Sequence, residues 1–370
     1  MESARYPAVP FEIEKIRADF PYLETCLYLN TAATGVAWKG AGAAAAAFYD
    51  RMAARGYDGR DDWRAVAGRV QAQIGRLANV APESISFCGS TTEALNLIAW
   101  SADVRDGDNV VFAEDEFPSV CGAAGILCAR GGRPAKVQVA DEMGRTDLLV
   151  RAAANARFVL VSHVHWQTGT KVDLARLAQA CRTSGALLIV DGIQALGATK
   201  VDASFADAYA ASVFKWLLSG FGLGIVILNP SLRERLTPAF RGYANPPPSH
   251  DLRYGHINYP GLCVLEATLA YLESLGWEAV TARTEVLAAR LIERLSVAGI
   301  EIATPPGQAA GIVSIAARDS AFTAQRLHER GISVEPRGRF LRASPHFYNT
   351  EAEIDRFCEV FLELEKGSAA

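Results

Sequence analysis

Lys215 is the residue whose position in the sequence points most directly to chemistry. It follows the apolar residues Val213 and Phe214 and precedes the glycine-rich residues 219–224. A poorly solvated lysine has a lowered pKa, and its neutral amine is the nucleophile that forms a Schiff base with a carbonyl compound. The alternative is a lysine whose stem lies on apolar surface while its ammonium reaches water.

An aspartate at the end of an apolar run is the second candidate. Asp191 ends the segment ALLIVD at residues 186–191, and Gly192 and Gln194 follow it. A buried carboxylate must be paired, because an isolated buried charge is too costly. Asp191 could cap the following turn, or it could hold the protonated nitrogen of a pyridine ring that withdraws electrons from a substrate.

Small hydroxyl residues form the third candidate. Ser90, Thr91 and Thr92 follow an apolar run that ends at Cys88, and they open a predicted helix. Backbone N–H groups, hydroxyls and the positive end of a helix suit a phosphate. An ordinary N-cap explains the same residues, since Ser and Thr are preferred at that position.

Three arginines, Arg337, Arg339 and Arg342, lie close together near the C-terminus. One of them could bind a substrate carboxylate with two parallel hydrogen bonds, which arginine does better than lysine. A solvated strand edge is the commoner explanation. Strand alternation does not place all three on one face, so at most some of them point inward.

Two other polar clusters favour structural interpretations. His163 and His165 share one face of a predicted strand end, but a metal site needs further ligands and no partner spacing is evident, so we expect no metal. Polar lining of a cofactor pocket is favoured over a metal site for this pair. The acidic residues 114–116 are expected to form a solvated loop.

Buried strands that alternate with helices must position these residues. Continuous apolar runs predict strands at residues 84–88, 109–113, 135–139, 157–162, 186–191, 206–211 and 224–228. Helical patterns occupy residues 41–55, 92–102, 119–130 and 174–184. This alternation is typical of a mostly parallel sheet covered on both faces, which gives an α/β fold with its ligands at the carboxyl ends of the strands.

The C-terminal third has a different pattern. Helices are predicted at residues 262–275, 280–298, 322–330 and 351–365, with strands at 311–316 and 339–344. We therefore predict a large domain over residues 31–261, and a small α+β domain that combines residues 1–30 with residues 262–370.

Composition narrows the possible functions. A net charge of −4 gives no basic footprint for nucleic acid. The seven scattered cysteines predict reduced thiols, and the N-terminus has no secretory pattern. No apolar run is long enough to span a membrane. These features predict a cytoplasmic protein.

Seven motifs, taken in order, resemble the class V aminotransferase family, which also includes cysteine desulfurases, isopenicillin N epimerase-like proteins and kynureninase. The resemblance runs from about residue 28 to residue 365. The motifs are YLNTAATG (28–35), GSTTEALN (89–96), DEFPS (115–119), VDGIQALG (190–197), SVFKWLLSGFGLG (212–224), GHINYPG (255–261) and LRASPHFYNTEAEIDR (341–356).

The resemblance implies the fold type I architecture of pyridoxal-5′-phosphate (PLP) enzymes and assigns roles within it. Lys215 matches the Schiff-base lysine, Asp191 the partner of the pyridine nitrogen, and Arg342 the residue that binds the substrate α-carboxylate. The other implied cofactor contacts are Ser90, Thr91, Thr92 and Ser212 at the phosphate, Phe117 stacked on the ring, Gln194 near its 3′-oxygen, Trp166, and His256 reaching a partner subunit in a homodimer. Asn30, Ala32 and Ala33 match the loop on the substrate side.

Three departures from the family pattern bear on the reaction. Phe214 stands where desulfurases usually carry His, and Trp166 stands where many members have Asn, which puts that cofactor contact in doubt. Residues 331–342 contain no cysteine, although a desulfurase that forms a persulfide needs a thiol there.

We therefore expect an enzyme that acts at Cα of a small amino-acid substrate, with an aminotransferase first. A Cβ-eliminating lyase (a C–S lyase or a desulfurase-like enzyme) is second, and an epimerase is third. A catalytically silent binding or regulatory homologue is the alternative of another class, although intact Lys215 and Asp191 argue against it. A nicotinamide dehydrogenase is disfavoured, because no Gly-x-Gly-x-x-Gly follows the first strand.

Overall fold

A computed structural model describes residues 12–367 of the chain. The helices are α1 (Ile13–Arg17), α2 (Lys39–Arg55), α3 (Arg60–Ala78), α4 (Thr91–Ser101), α5 (Pro118–Ala129), α6 (Arg145–Ala153), α7 (Leu174–Ser184), α8 (Pro230–Arg233), α9 (Tyr259–Leu275), α10 (Trp277–Val297), α11 (Ser320–Glu329) and α12 (Glu351–Gly367). The strands are β1 (Leu27–Tyr28), β2 (Ile85–Cys88), β3 (Asn109–Ala113), β4 (Arg133–Val137), β5 (Phe158–Ser162), β6 (Leu187–Asp191), β7 (Ala208–Ser212), β8 (Gly224–Leu228), β9 (Val313–Ala316), β10 (Ile332–Ser333), β11 (Glu335–Arg337) and β12 (Phe340–Ala343).

A seven-stranded sheet forms the centre of the molecule, with strand order β2-β8-β7-β6-β5-β3-β4. The strands from β7 to β4 pair in parallel, while β8 runs antiparallel to both of its neighbours. Every residue of β5, β6, β7 and β8 is buried. Because parallel strands are covered on both faces, this burial explains their continuous apolar sequences. The predicted α/β class is confirmed.

A second, three-stranded antiparallel sheet has the order β11-β12-β9. Its apolar face packs with residues of α10 and α12 in a separate hydrophobic cluster. Strand β1 joins this part of the molecule by pairing in parallel with β10. The two sheets thus lie in the two predicted domains. The domain boundaries stay a prediction, and residues 1–11 and 368–370 lie outside the described residues.

Several elements differ from the prediction. Helices α3 and α6 were not predicted, because their charged residues obscure a narrow apolar stripe. Strand β4 begins two residues earlier than predicted, since its pairing with β3 fixes the register from Arg133. All seven cysteines are free. Within residues 12–367, no helix has both the length and the apolar character needed to cross a membrane.

Candidate active site

Lys215 and Asp191 meet at the carboxyl edge of the large sheet. Asp191 ends β6, and Lys215 follows the end of the adjacent strand β7. Both side chains are buried, with 3% of Asp191 and 8% of Lys215 exposed. Gly35 fixes the turn before the lysine, because its N–H donates to the Phe214 carbonyl at 2.9 Å and a Cβ at position 35 would collide with the Lys215 backbone.

Burial controls the protonation of this pair. Burial, and next the nearby Arg342 cation, lower the pKa of Lys215 to about 8, while Asp191 opposes the change. Burial also raises the pKa of Asp191, to about 6. Two contacts oppose this rise: the N–H of Ile193, which donates to Asp191 Oδ1 at 2.9 Å, and the positive charge of Lys215. The site therefore holds an amine that is partly neutral near pH 7 beside a carboxylate.

Tyr209 and His163 lie beside Asp191. Tyr209 is not among the site residues predicted from the sequence. The Tyr209 hydroxyl is 3.3 Å from His163 Nδ1, and the Asp191 charge helps burial to raise the Tyr209 pKa. Burial lowers the pKa of His163 to about 3, so its ring is neutral at physiological pH. A tyrosine in an alanine-rich strand is the one signal that could have singled it out.

The hydroxyl residues predicted at the phosphate site are brought together at the start of α4. Ser90 is the N-cap, and its Oγ accepts from Glu93 N at 3.1 Å. The Thr91 N–H donates to Ser212 Oγ at 2.7 Å, and Ser212 N donates to Thr91 Oγ1 at 2.7 Å. The Thr92 hydroxyl instead bonds Ser119 at 2.8 Å on the exposed side.

His256 lies on the loop before α9, with its ring 5.1 Å from that of Tyr243. It lines a cavity of about 230 Å³ together with Gly89 and Glu93, next to the residues predicted to bind phosphate. Within the described chain, His256 is therefore close to that loop without being part of its hydrogen-bond network.

Aromatic rings surround the lysine amine. The Lys215 Nζ is 5.9 Å from the ring centroid of Phe117 and 5.7 Å from that of Phe214. Trp166 packs edge-on against Phe117 at 5.8 Å, and its Nε1 donates to the Asp115 carbonyl at 3.0 Å. Only the ring of Trp166 is thus available for the predicted cofactor contact.

Gln194 joins the large sheet to the N-terminal loop. Its Nε2 donates to the Ala32 carbonyl at 3.1 Å, and its Oε1 accepts from Trp216 Nε1 at 2.9 Å. The Ala32 N–H in turn donates to Ser344 Oγ at 2.9 Å. The predicted contact of Gln194 with a ring oxygen therefore has one remaining amide hydrogen available.

Arg342 carries hydrogen-bond donors without partners. The residue is 2% exposed, and its Nη1 donates to the Trp166 carbonyl at 2.8 Å, whereas Nε and Nη2 are buried and unpaired. Burial, and then the neighbouring Arg337, lower its pKa to about 10. Asn30 donates to Glu335 at 3.2 Å and leaves its own Oδ1 unpaired. The open Nε–Nη2 edge of Arg342 has the geometry that binds a carboxylate.

The acidic loop before α5 differs from the expected solvated loop. Glu116 is 5% exposed, and its carboxylate accepts hydrogen bonds from the N–H and the hydroxyl of Ser162. The expectation for Glu116 is therefore wrong: it ties the end of β3 to β5, and burial raises its pKa.

A second acidic group involves His165. Ligand atoms of Asp115, Glu142 and His165 lie within 4.8 Å of one another. The buried guanidinium of Arg145 bonds both carboxylates and offsets part of their negative charge. His165 is also held by the Asp115 carbonyl and by Thr168, at 2.9 and 2.8 Å.

The donor set fits the cofactor that the resemblance implies. A buried amine faces an aldehyde, a buried carboxylate suits a pyridinium nitrogen, and hydroxyls at a helix N-terminus suit a phosphate. The unpaired edge of Arg342 adds an anion site within reach of the same group of residues.

Comparisons with known proteins identify the family of the chain. A family model described as "Aminotransferase class-V" matches residues 27–357. The chain is 29% identical to an isopenicillin N epimerase from Amycolatopsis lactamdurans, over 77% of this chain and 81% of the relative. It is 27% identical to a cysteine desulfurase from Salmonella typhimurium, over 94% of this chain and 96% of the relative.

Solved structures show the same fold. A cysteine desulfurase from Thermococcus onnurineus NA1 superposes with a TM-score of 0.88 at 23% identity, covering 99% of this chain and all of that one. The cystine C–S lyase C-DES, in complex with cysteine persulfide, gives a TM-score of 0.85 at 21% identity, covering 92% and 98%.

Proposed function

Because the chain belongs to the class V aminotransferase family and its cofactor is pyridoxal 5′-phosphate, we propose that it is an aminotransferase acting at Cα of an α-amino acid. The family and the fold type I architecture expected from the seven motifs are confirmed. Which reaction the enzyme performs, and which residues perform it, are the content of the proposal.

In this proposal the large sheet holds the cofactor. Lys215 would form the covalent link to the aldehyde, Asp191 would keep the pyridine nitrogen protonated, and Phe117 would contact the ring. Ser90, Thr91, Thr92 and Ser212 bind the phosphate, while Gln194 and Trp166 contact the ring. When bound, the cofactor takes up the electron pair that is left at Cα after proton removal.

The substrate is held by the small-domain sheet. The Nε and Nη2 atoms of Arg342 bind the α-carboxylate in a two-bond arrangement, which supplies the acceptor that these buried donors lack. Asn30 and Ala32 line the same side. A fixed carboxylate limits the orientations of Cα relative to the Lys215 amine, so one proton is presented for removal.

Once the substrate amino group has replaced it on the aldehyde carbon, the freed Lys215 amine would move the proton. A base is most effective when its pKa lies near the working pH, and burial brings the Lys215 pKa to about 8. Its ring neighbours, Phe117 and Phe214, carry no proton at physiological pH. The observation that carries the proposal is a buried lysine amine whose pKa lies near the working pH and whose ring neighbours Phe117 and Phe214 cannot act as a second acid or base.

The aromatic surroundings favour amino-group transfer over the other outcomes. Two-base epimerisation needs a second acid–base group, and elimination is assisted by an acid for the leaving group; Phe214 can be neither. A thiol nucleophile is also unsupported, since residues 331–342 lack cysteine. On the cofactor side, burial raises the pKa of Cys88 to about 12, so its thiol stays protonated.

A Cβ-eliminating lyase is the second candidate. The comparisons favour it, because the similar proteins include cysteine desulfurases and a cystine C–S lyase. A lyase that needs no thiol of its own would be compatible with the sequence of residues 331–342.

We also propose that the enzyme is a homodimer in which His256 contacts the phosphate of the partner subunit, with domains at residues 31–261 and at 1–30 plus 262–370. Exposed aromatic residues near that loop, Tyr243 at 67% and Phe221 at 69%, support an interface there. A monomer by light scattering that retains full activity would overturn the dimer.

The decisive experiment incubates the holoenzyme with a panel of amino acids and a keto-acid acceptor. Amino-group transfer yields a new keto acid and a new amino acid, whereas elimination from serine yields pyruvate and ammonia, and elimination from cysteine yields pyruvate, ammonia and sulfide. Absorbance at about 420 nm should disappear on borohydride reduction and in Lys215→Ala, but persist in the exposed-lysine control Lys200→Ala. A chain that stays colourless with PLP would indicate the silent binding homologue.

A further inference from the structure

Two arginines, not one, face the site from the small-domain sheet. Glu335 pairs directly with Arg342 across β11 and β12, and Arg337 lies two residues further along β11. Directly paired residues share a face, and so do residues i and i+2 of one strand. Arg337 and Arg342 therefore project from the same side of the sheet, whereas Arg339 lies in the turn and pairs with Glu301.

Trp166 connects the two arginines to the rings around the amine. Its carbonyl accepts from Arg342 Nη1, and the Arg337 Cζ lies 5.6 Å from its ring centroid. The same ring packs against Phe117, which lies 5.9 Å from Lys215 Nζ. Both Arg337 and Arg342 act electrostatically on Lys215. Arg337 thus occupies a place further along the wall of the site than Arg342.

The hydrogen bonding of Arg337 is incomplete. Within residues 12–367, its Nε is buried without a partner, and its Nη2 contacts the Glu335 carboxylate at 3.3 Å. Glu335 also accepts from Asn30 at 3.2 Å, so one carboxylate is divided between two donors. About a third of both the Arg337 and the Glu335 side chain is exposed, and a pair of this kind contributes little. A ligand carboxylate can compete for it.

We propose that Arg337 is a specificity-determining residue that binds an acidic group on the substrate side chain, so that the substrates are α-amino dicarboxylic acids. The inference rests on the proposed function, because it requires Arg342 to hold the α-carboxylate. Arg342, nearly fully buried, then takes the inner carboxylate, and Arg337, partly exposed and stacked on Trp166, takes the outer one. Glu335 holds the Arg337 guanidinium in place and competes with the ligand for it.

A structural alternative makes different predictions. If Arg337 only fastens β11 to Trp166, its removal should weaken the reaction with all amino acids alike, or destabilise the protein. If it binds a side-chain carboxylate, the loss should be confined to acidic substrates, and removal of the competing Glu335 charge should improve them.

The test follows the absorbance of the holoenzyme during the first half-reaction with L-aspartate, L-glutamate and L-2-aminoadipate, and with the neutral comparators L-asparagine, L-glutamine and L-alanine. At least one dicarboxylic acid should react with a kcat/KM about 10-fold or more above its neutral comparators. Arg337→Gln should lose about 10- to 100-fold on that acid, the range for a lost charge-assisted hydrogen bond, and less than about 3-fold on neutral substrates.

Three variants control the result. Arg337→Lys should recover part of the loss, Glu335→Gln should lower the KM for the acid, and Arg339→Gln should match the wild type. Equal reaction of acidic and neutral amino acids, or an equal loss on both in Arg337→Gln, would overturn the inference while leaving the proposed function intact. If no amino acid changes the absorbance of a holoenzyme with full cofactor occupancy, the proposed function fails and the inference falls with it.

Discussion

The lowered pKa of Lys215 predicts how the apoenzyme takes up its cofactor as pH changes. Only the neutral amine attacks an aldehyde, so the rate of covalent attachment follows the fraction of neutral Lys215. Burial, helped by Arg342, brings its pKa to about 8 from the ordinary 10.5. The rate should therefore rise to a plateau with a midpoint near pH 8.

The size of the effect follows from the two pKa values. At pH 7, about one tenth of an amine with a pKa of 8 is neutral, against about 1 in 3,000 at a pKa of 10.5. Lys215 should thus react roughly 300 times faster than an exposed lysine, which corresponds to about 3 kcal/mol at 1.36 kcal/mol per pKa unit. Because only 8% of Lys215 is exposed, solvent screening reduces this effect little.

The assay mixes apoenzyme with PLP between pH 6 and pH 10 and records the absorbance at about 420 nm over time. Nα-acetyl-lysine serves as the reference amine, because the titration of PLP itself affects both reactions equally and cancels in the ratio of the two rates. Arg342→Gln removes a cation that lowers the lysine pKa, so its midpoint should move to higher pH. Arg339→Gln, whose cation pairs with Glu301 on the surface, should leave the midpoint unchanged.

A midpoint near pH 10 in the wild type would show that Lys215 is solvated and would refute the reasoning. If the midpoint lies near pH 8 in both the wild type and Arg342→Gln, desolvation alone lowers the Lys215 pKa and Arg342 does not contribute.

Three further predictions concern Asp191, the packing of Gly192 and the buried His346. Asp191→Ala should keep cofactor binding but lower kcat by about 100-fold or more, because a buried charged partner is lost; near wild-type turnover would contradict its role. Gly192→Ala should lower the free energy of unfolding by about 1–3 kcal/mol, because the new Cβ would collide with the Tyr209 ring. The control Gly122→Ala should not lower it, because no atom lies within 4 Å of a Cβ at that position. Urea titrations that give the same free energy for both variants would count against this packing. Burial lowers the pKa of His346 to about 3, whereas the unfolded chain keeps the ordinary value of 6.5. Below pH 6.5 the unfolded state therefore binds a proton that the folded state does not bind. The stability contributed by the neutral His346 ring is present above pH 6.5, has fallen by about 2 kcal/mol at pH 5, and declines further to about pH 3. Denaturation curves at pH 7.5 and pH 5 should show a smaller fall in His346→Gln, and an equal fall would rule this histidine out.

The strands of the large sheet were largely predictable, because burial on both faces requires an apolar residue at every position. The segments that became β5, β6 and β8 meet this requirement, and Asp191 was found as the polar residue at the end of one of them. Lys215 was found in the same way, as a charge directly after an apolar strand. Helix α3 was not predicted, since its apolar stripe is narrow.

The polar surroundings of the site could not be predicted from local sequence, because they depend on contacts between distant residues. Glu116 has the sequence of a solvated loop, yet Ser162, 46 residues away, satisfies its buried carboxylate. The arginines illustrate the same limit. The local sequence does not distinguish Arg337, Arg339 and Arg342. The pairing of β11 with β12 places Arg337 and Arg342 on one face of the sheet, whereas Arg339 pairs with Glu301 on the surface.

The site is divided between two sheets, and a short N-terminal segment joins them. Strand β1 pairs with β10 beside the three-stranded sheet, whereas Ala32 and Gly35, a few residues later, bond Gln194 and the Phe214 carbonyl at the edge of the large sheet. This segment and the hydrogen bond from Arg342 to the Trp166 carbonyl are contacts that help to set the distance between the arginines and Lys215. In the proposed site, the carboxylate-binding arginines and the proton-transferring lysine belong to different sheets. The spacing of the two sheets would then determine which substrate length brings a side-chain carboxylate within reach of Arg337.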